Sequence, residues 1–139
     1  MKGVVIIIRG ASCSGKSAFA SYLASIKKGQ QAVVCTADDA FYNKDGEYVF
    51  VREKLAGAHN LCKMKFLDAI HDGKELIIVA NTNTTKKEFS YYKDVAEDHD
   101  YLVFFTVLEK RHNNQNSHNC PQELIERQAK NILHYIKLT

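Results

Sequence analysis

Residues 10–17, Gly10-Ala11-Ser12-Cys13-Ser14-Gly15-Lys16-Ser17, have the spacing G-x-x-x-x-G-K-[ST] and follow the apolar run Val4-Val5-Ile6-Ile7-Ile8. A strand that delivers the chain into a glycine-bounded loop, followed by a helix, is the arrangement that binds phosphate: backbone N–H groups wrap the anion and the helix points its positive dipole end at it. Gly10, Ser12, Cys13, Ser14, Gly15, Lys16 and Ser17 are therefore the candidate nucleotide-binding residues. Lys16 brings a cation to the outer phosphates, and the Ser17 hydroxyl is a ligand for Mg²⁺, which neutralises the rest of the polyphosphate charge. A plain glycine turn between a strand and a helix would not need the Lys-Ser pair. The expected cofactors are ATP and Mg²⁺.

Two carboxylates come next. Ala32-Val33-Val34-Cys35 reads as a short strand that ends at Thr36-Ala37-Asp38-Asp39, and ligands of open α/β sheets bind just beyond the carboxyl ends of the strands. A carboxylate there can take the proton of an incoming hydroxyl or hold a metal-bound water. A third apolar run, Leu76 to Ala80, ends not in the carboxylate that commonly steadies Mg²⁺ but in Asn81-Thr82-Asn83. Asparagine can orient water or an acceptor but carries no charge, so Asn81 and Asn83 are candidate substrate contacts, with Asp39 and with Tyr42 as a ring on which a base could stack.

These side chains need a frame that brings strand ends together. The apolar strands are separated by helical patterns: residues 16–28, with Phe19, Leu23 and Ile26 at core spacing; residues 52–72, with Leu55, His59, Cys62, Phe66 and Ile70 on one face; and a helix begun by Thr85 and Glu88 as a capping box, with Phe89, Tyr92 and Ala96 inward. Residues 101–108 are a fourth strand, and Pro121 starts a last helix carrying Leu124, Ile132 and Ile136. Residues 40–51 read as a loop or short hairpin turning at Asn43-Lys44-Asp45-Gly46. Alternating strand and helix predict a three-layer α/β fold with a small, mostly parallel sheet of about four strands, in one domain over residues 1–139.

Composition narrows the function classes. The chain has 45% hydrophobic and 25% charged residues, ordinary for a globular protein, and no apolar run approaches the ~20 residues of a membrane span. The first residues lead directly into a strand that the loop requires, so no cleaved leader and a cytoplasmic protein are expected. Four cysteines without C-x-x-C pairing read as reduced thiols, and six scattered histidines make no zinc pattern. A net charge of +3 permits a nucleic-acid partner without requiring one.

Several short stretches together, Arg9-Gly10 with the loop, TADDAFY at residues 36–42, DGEYVF at 45–50, KLAGAHNLC at 54–62, Asn81-Thr82-Asn83, and Asn116-Ser117-His118 before Pro121, resemble the polynucleotide kinase-like P-loop domains. Within that group the chain is most similar to the kinase domains of NEDD4-binding-protein-2-like proteins, and more distantly to phage polynucleotide 5′-kinase. The resemblance covers residues 3–136. It implies a P-loop NTPase fold of the adenylate-kinase type, transfer of the ATP γ-phosphate to the 5′-hydroxyl of DNA or RNA, and Asp38 as general base. The family usually carries an arginine just before the Asn-x-His element, in the lid over the phosphates; here Asn114-Gln115 stand there. Arg111, four residues before Gln115, shares a face with it if that stretch is helical, and is the candidate replacement cation. A small-metabolite kinase and a non-catalytic nucleotide-binding module are the competing readings.

Overall fold

The computed structural model of the chain describes residues 2–12, 14–109 and 121–134. Four strands, β1 (Gly3–Gly10), β2 (Ala32–Cys35), β3 (Leu76–Ala80) and β4 (Tyr101–Leu108), form one parallel sheet in the order β2-β3-β1-β4. Val4 lies opposite Leu76 on one side and Leu102 on the other, and the register continues to Ile8 opposite Ala80 and Thr106. The central strands are almost purely aliphatic because both of their faces are covered. On one face Val5, Ile7, Ile77 and Val79 pack with Phe66, Ile70, Tyr92 and Ala96 from helices α2 (Leu55–His71) and α3 (Lys86–Asp98). On the other, Ile8, Ile78 and Ala80 pack with Ala20, Phe19 and Leu23 of α1 (Lys16–Ser25). A fourth helix, α4 (Gln122–His134), touches β1. This is the expected three-layer α/β architecture.

The chain leaves β1 for α1 on one face and leaves β3 for α3 on the opposite face. The two exits start side by side, Gly10 N–H donating to Thr82 O at 3.1 Å, at the carboxyl edge of the sheet, where such folds take ligands.

Helical periodicity over-extended two elements. α1 stops at Ser25, and Ile26, expected in the core, is 63% exposed. Residues 52–54 form a 3-10 turn before α2 begins. The buried stripe of α2 is Ala58, Cys62, Phe66, Ala69 and Ile70; Leu55 is 37% exposed and His59 faces solvent. The stripe thus runs through the small Ala58 and Ala69 and is rotated away from the bulkier Leu55 and His59. The hairpin is present: Asn43 Oδ1 accepts from the N–H groups of Asp45 and Glu47, and Tyr42 bridges antiparallel to Tyr48. Ile136 lies outside the described residues. Among the described residues, no helix is long and apolar enough to cross a membrane.

Candidate active site

The phosphate loop rises from the end of β1 and turns directly into α1. Gly15, the N-cap of α1, has φ +95°, a left-handed conformation that side chains resist. Gly10 is required by space: a Cβ there would sit 2.5 Å from Ser14 Oγ. The loop is thus tightly folded on itself, with Ser14 and Ala11 buried. Lys16 Nζ donates to Ala11 O at 2.8 Å, which folds the side chain back over the loop. The first turn of α1 carries no acidic residue, so nothing there opposes an anion at its positive end. Cys13, a candidate from the motif, lies outside the described residues.

Asp38 and Asp39 sit on a 3-10 helix over Ala37–Phe41 that follows β2 at once. Thr36 caps it, its Oγ1 accepting from Asp38 N–H at 3.2 Å. Asp38 Oδ1 accepts from the Tyr48 hydroxyl at 3.3 Å. Asp39 points outward and pairs with Lys65 of α2 at 3.5 Å, an exposed contact worth no more than about 1 kcal/mol. Both carboxylates, Ser17, Thr36, Tyr42, Lys65 and Ala80 line one open cleft of about 510 Å³. Residues from the start of α1, the β2 exit, the aromatic hairpin, α2 and the end of β3 therefore share one cavity. Tyr42 is 49% exposed, with its ring edge-on to Tyr48 at 5.4 Å.

The asparagines do something other than face the acceptor. Asn81 Oδ1 accepts from Ala37 N–H at 2.8 Å, and its Nδ2 donates to Cys62 Sγ at 3.5 Å. Its carboxamide thus ties the β3 exit to the turn that presents Asp38. Asn83 is 1% exposed, with φ +47°. Its Nδ2 donates to Ile8 O at 2.9 Å and to Asn81 O at 3.2 Å, so it points back under the sheet edge. Short polar side chains after a strand are equally able to reach a ligand or a neighbouring backbone, and the backbone here has buried groups to satisfy.

Arg9 was visible only as part of a motif. It is 4% exposed; Nε donates to Asn83 O at 2.8 Å and Nη2 to Thr84 O at 3.2 Å, and the guanidinium lies 4.9 Å from the centre of the Phe89 ring. Burial lowers its pKa, opposed by the charge of Glu88. Glu88 in turn accepts from Thr84 Oγ1 at 2.8 Å and Thr85 N–H at 3.2 Å, the capping contact read from the sequence. Cys62 joins this support: the Tyr92 hydroxyl donates to its Sγ at 3.3 Å. Burial pushes the Cys62 thiol up and the Cys35 thiol up to about 12, so both stay protonated and inert at neutral pH. Lys65 and Gln128 at the site were missed. Gln128 alone left a signal, a polar residue in the otherwise apolar stripe of α4, and its Oε1 accepts from Ser12 N–H at 2.9 Å. Arg111, the candidate lid cation, lies outside the described residues, as do Asn114, Gln115 and the Asn-x-His element.

Among the described residues no cluster of three or more His, Cys, Asp or Glu side chains could hold a metal by itself. The oxygens present, the Ser17 hydroxyl and the two carboxylates across the cleft, fit a hard cation that takes its remaining ligands from phosphate and water.

No protein-family model matches the chain. Human NEDD4-binding protein 2 is 31% identical over 102 residues, which is 73% of this chain but 6% of that protein, so the chain spans a small fraction of that relative. Among solved structures, the Pnkp1/Rnl/Hen1 RNA repair complex contains a chain that matches 95% of this one over 44% of its own length, with TM-score 0.63 and 19% identity. Mycobacterium tuberculosis APS kinase CysC in complex with AMPPNP and APS matches 95% of this chain over 71% of its own, with TM-score 0.54 and 17% identity. Chaetomium thermophilum Kti12 in complex with ADP-AlF3 matches 91% over 79%, with TM-score 0.58 and 13% identity.

Proposed function

We propose that this chain, a P-loop kinase-like domain, binds ATP and transfers its γ-phosphate to the 5′-hydroxyl of a polynucleotide. The observation that carries the reading is the shared cleft: the residue that follows the loop lysine, Ser17, and the strand-end carboxylate Asp38 line one cavity. In this reading the loop N–H groups and the α1 terminus hold the phosphates, and Lys16 stabilises the charge of the phosphoryl group in transit. Asp38 accepts the proton of the acceptor hydroxyl as its oxygen bonds to the γ-phosphorus; the bond to the bridging oxygen breaks and ADP leaves. The Tyr48 hydroxyl on Asp38 orients the carboxylate and leaves its other oxygen for the proton. Ser17 would hold Mg²⁺, with Asp38 and Asp39 as the carboxylates that line the same cleft; the ion would supply neutralisation of phosphate charge. Tyr42 stacks on the acceptor's base, and Arg111 is the lid cation on sequence grounds.

The 5′-hydroxyl acceptor rests on similarity to NEDD4-binding protein 2 and to the RNA repair complex chain. A small anionic metabolite is the second reading, supported by the likeness to an APS kinase that spans 95% of both chains. One experiment separates them: γ-labelled ATP and Mg²⁺ with 5′-hydroxyl oligonucleotides, 5′-phosphorylated oligonucleotides or a metabolite panel, using wild type, Asp38→Asn and Asp39→Asn. Label on the 5′-hydroxyl oligonucleotide alone, reduced ~10²–10⁴-fold by Asp38→Asn, is expected. Label only on a metabolite refutes the polynucleotide acceptor, and a mild Asp38→Asn with a crippling Asp39→Asn refutes the assignment of the base.

A further inference from the structure

The peptide group between Ala11 and Ser12 is held at both ends by side chains. Its carbonyl, Ala11 O, accepts from Lys16 Nζ at 2.8 Å, and its N–H, on Ser12, donates to Gln128 Oε1 at 2.9 Å. In a trans peptide these two groups point in opposite directions, so the two contacts clamp one plane from its two sides. Lys16 follows the loop by five residues from Ala11, whereas Gln128 comes from α4, 116 positions from Ser12. We propose that Gln128 is a positioning residue for Lys16: by fixing the Ala11–Ser12 peptide it aims the carbonyl that holds the lysine ammonium over the loop.

The side chain is placed for this. Ile125 and Ile132 of α4 are buried, and at i−3 and i+4 they flank Gln128 on one helical face. That face anchors the helix, and the half-buried Gln128 is its polar member. A carboxamide also has only one end that can accept, so the Ser12 N–H selects the oxygen and fixes the orientation of the group. Without that partner the plane is held only through its carbonyl, which accepts from Lys16 Nζ and, at 3.2 Å, from Ser14 N–H. Rotation would turn Ala11 O away from Lys16 and release the ammonium from the position in which it meets an outer phosphate. Gln128 therefore acts on the nucleotide through the loop and not by touching it. The inference rests on the reading of residues 10–17 as a triphosphate cradle, but the clamp can be tested without nucleotide.

The test compares Gln128→Met, which keeps length and packing but cannot accept, with Gln128→Glu, which keeps the acceptor. The first readout is the rate of Lys16 acylation by an N-hydroxysuccinimide ester, followed by peptide mass spectrometry. The second is ATP affinity with Mg²⁺, alone and in a Lys16→Ala background. Gln128→Met should expose Lys16 to faster acylation and weaken ATP binding roughly three- to tenfold, the worth of one hydrogen bond. Gln128→Glu should leave the acylation rate at the wild-type level. In the Lys16→Ala background the Gln128→Met effect on ATP should vanish, because the two substitutions break one unit. Unchanged acylation in Gln128→Met, equal effects of Met and Glu on it, or an undiminished ATP effect without Lys16 would each overturn the proposal. Should Gln128→Met unfold α4, Gln128→Asn, one methylene too short to reach, takes its place. If wild type binds no triphosphate, the cradle reading fails, and the acylation rates alone decide the clamp.

Discussion

Asn81 offers the sharpest separation between a residue that touches substrate and one that holds the site together. Replacing it with alanine removes the acceptor for Ala37 N–H, and Ala37 is 6% exposed, so that donor is left without water or partner. An unsatisfied buried N–H costs about 1–3 kcal/mol. The contact of Nδ2 with Cys62 Sγ at 3.5 Å is long and to a weak acceptor, and adds little. A total of about 1–3 kcal/mol follows. For 139 residues the unfolding entropy near the midpoint is about 0.3 kcal/mol/K, so Tm should fall by about 3–10 °C. Because the released turn carries Asp38, phosphoryl transfer should fall as well, while ATP affinity, which depends on the loop after β1, should hold within about twofold. The measurements are differential scanning calorimetry, nucleotide titration and acceptor kinetics on Asn81→Ala. A variant with wild-type Tm and a raised KM for the acceptor alone would refute the reasoning and return Asn81 to the acceptor surface.

Three further outcomes follow from the same geometry. Lys16→Ala should lower phosphoryl transfer at least ~10²-fold, as for loss of one preorganised electrostatic donor; activity within a few fold of wild type in the labelled-ATP assay would remove the loop mechanism. Arg9→Met strips the carbonyls of Asn83 and Thr84 of their donors and should cost about 3–5 kcal/mol, read as a lowered urea midpoint; a loss below 1 kcal/mol would show that the β3–α3 connection holds without it. The Cys35 thiol, pushed by burial from 9.0 to about 12, is protonated in the fold where the unfolded chain has already ionised. Its contribution to stability is therefore complete below pH 9 and is lost as pH rises from 9 toward 12. Iodoacetamide at pH 8.5 should leave Cys35 unmodified in the native protein and alkylate it in urea; rapid native modification would contradict the burial.

The sequence by itself determined the local parts. Apolar runs at 4–8, 32–35, 76–80 and 101–108 read as strands, and the observed strands coincide with them to within a few residues, although β4 leaves Leu102, Phe104 and Phe105 exposed. The phosphate loop was legible because its function is performed by backbone and by conformationally special glycines, which local spacing encodes. The Thr85–Glu88 cap was legible for the same reason, its partners being three residues apart. What the tertiary structure decided was the partnership of side chains that lie far apart in the chain. Asn81 and Asn83 have the same polar groups whether they face a ligand or a neighbouring strand, and only the approach of β2 and β1 to β3 gives them Ala37 N–H and Ile8 O to satisfy. Helical periodicity marked an apolar face on α2 but not its rotation, which buries Ala58 and Ala69 and leaves Leu55 at the surface. Arg9, Tyr48, Lys65 and Gln128 reach their partners across 74, 10, 26 and 116 positions respectively. A contact across such separations is a product of the assembled fold, because no local pattern fixes which two distant surfaces will meet.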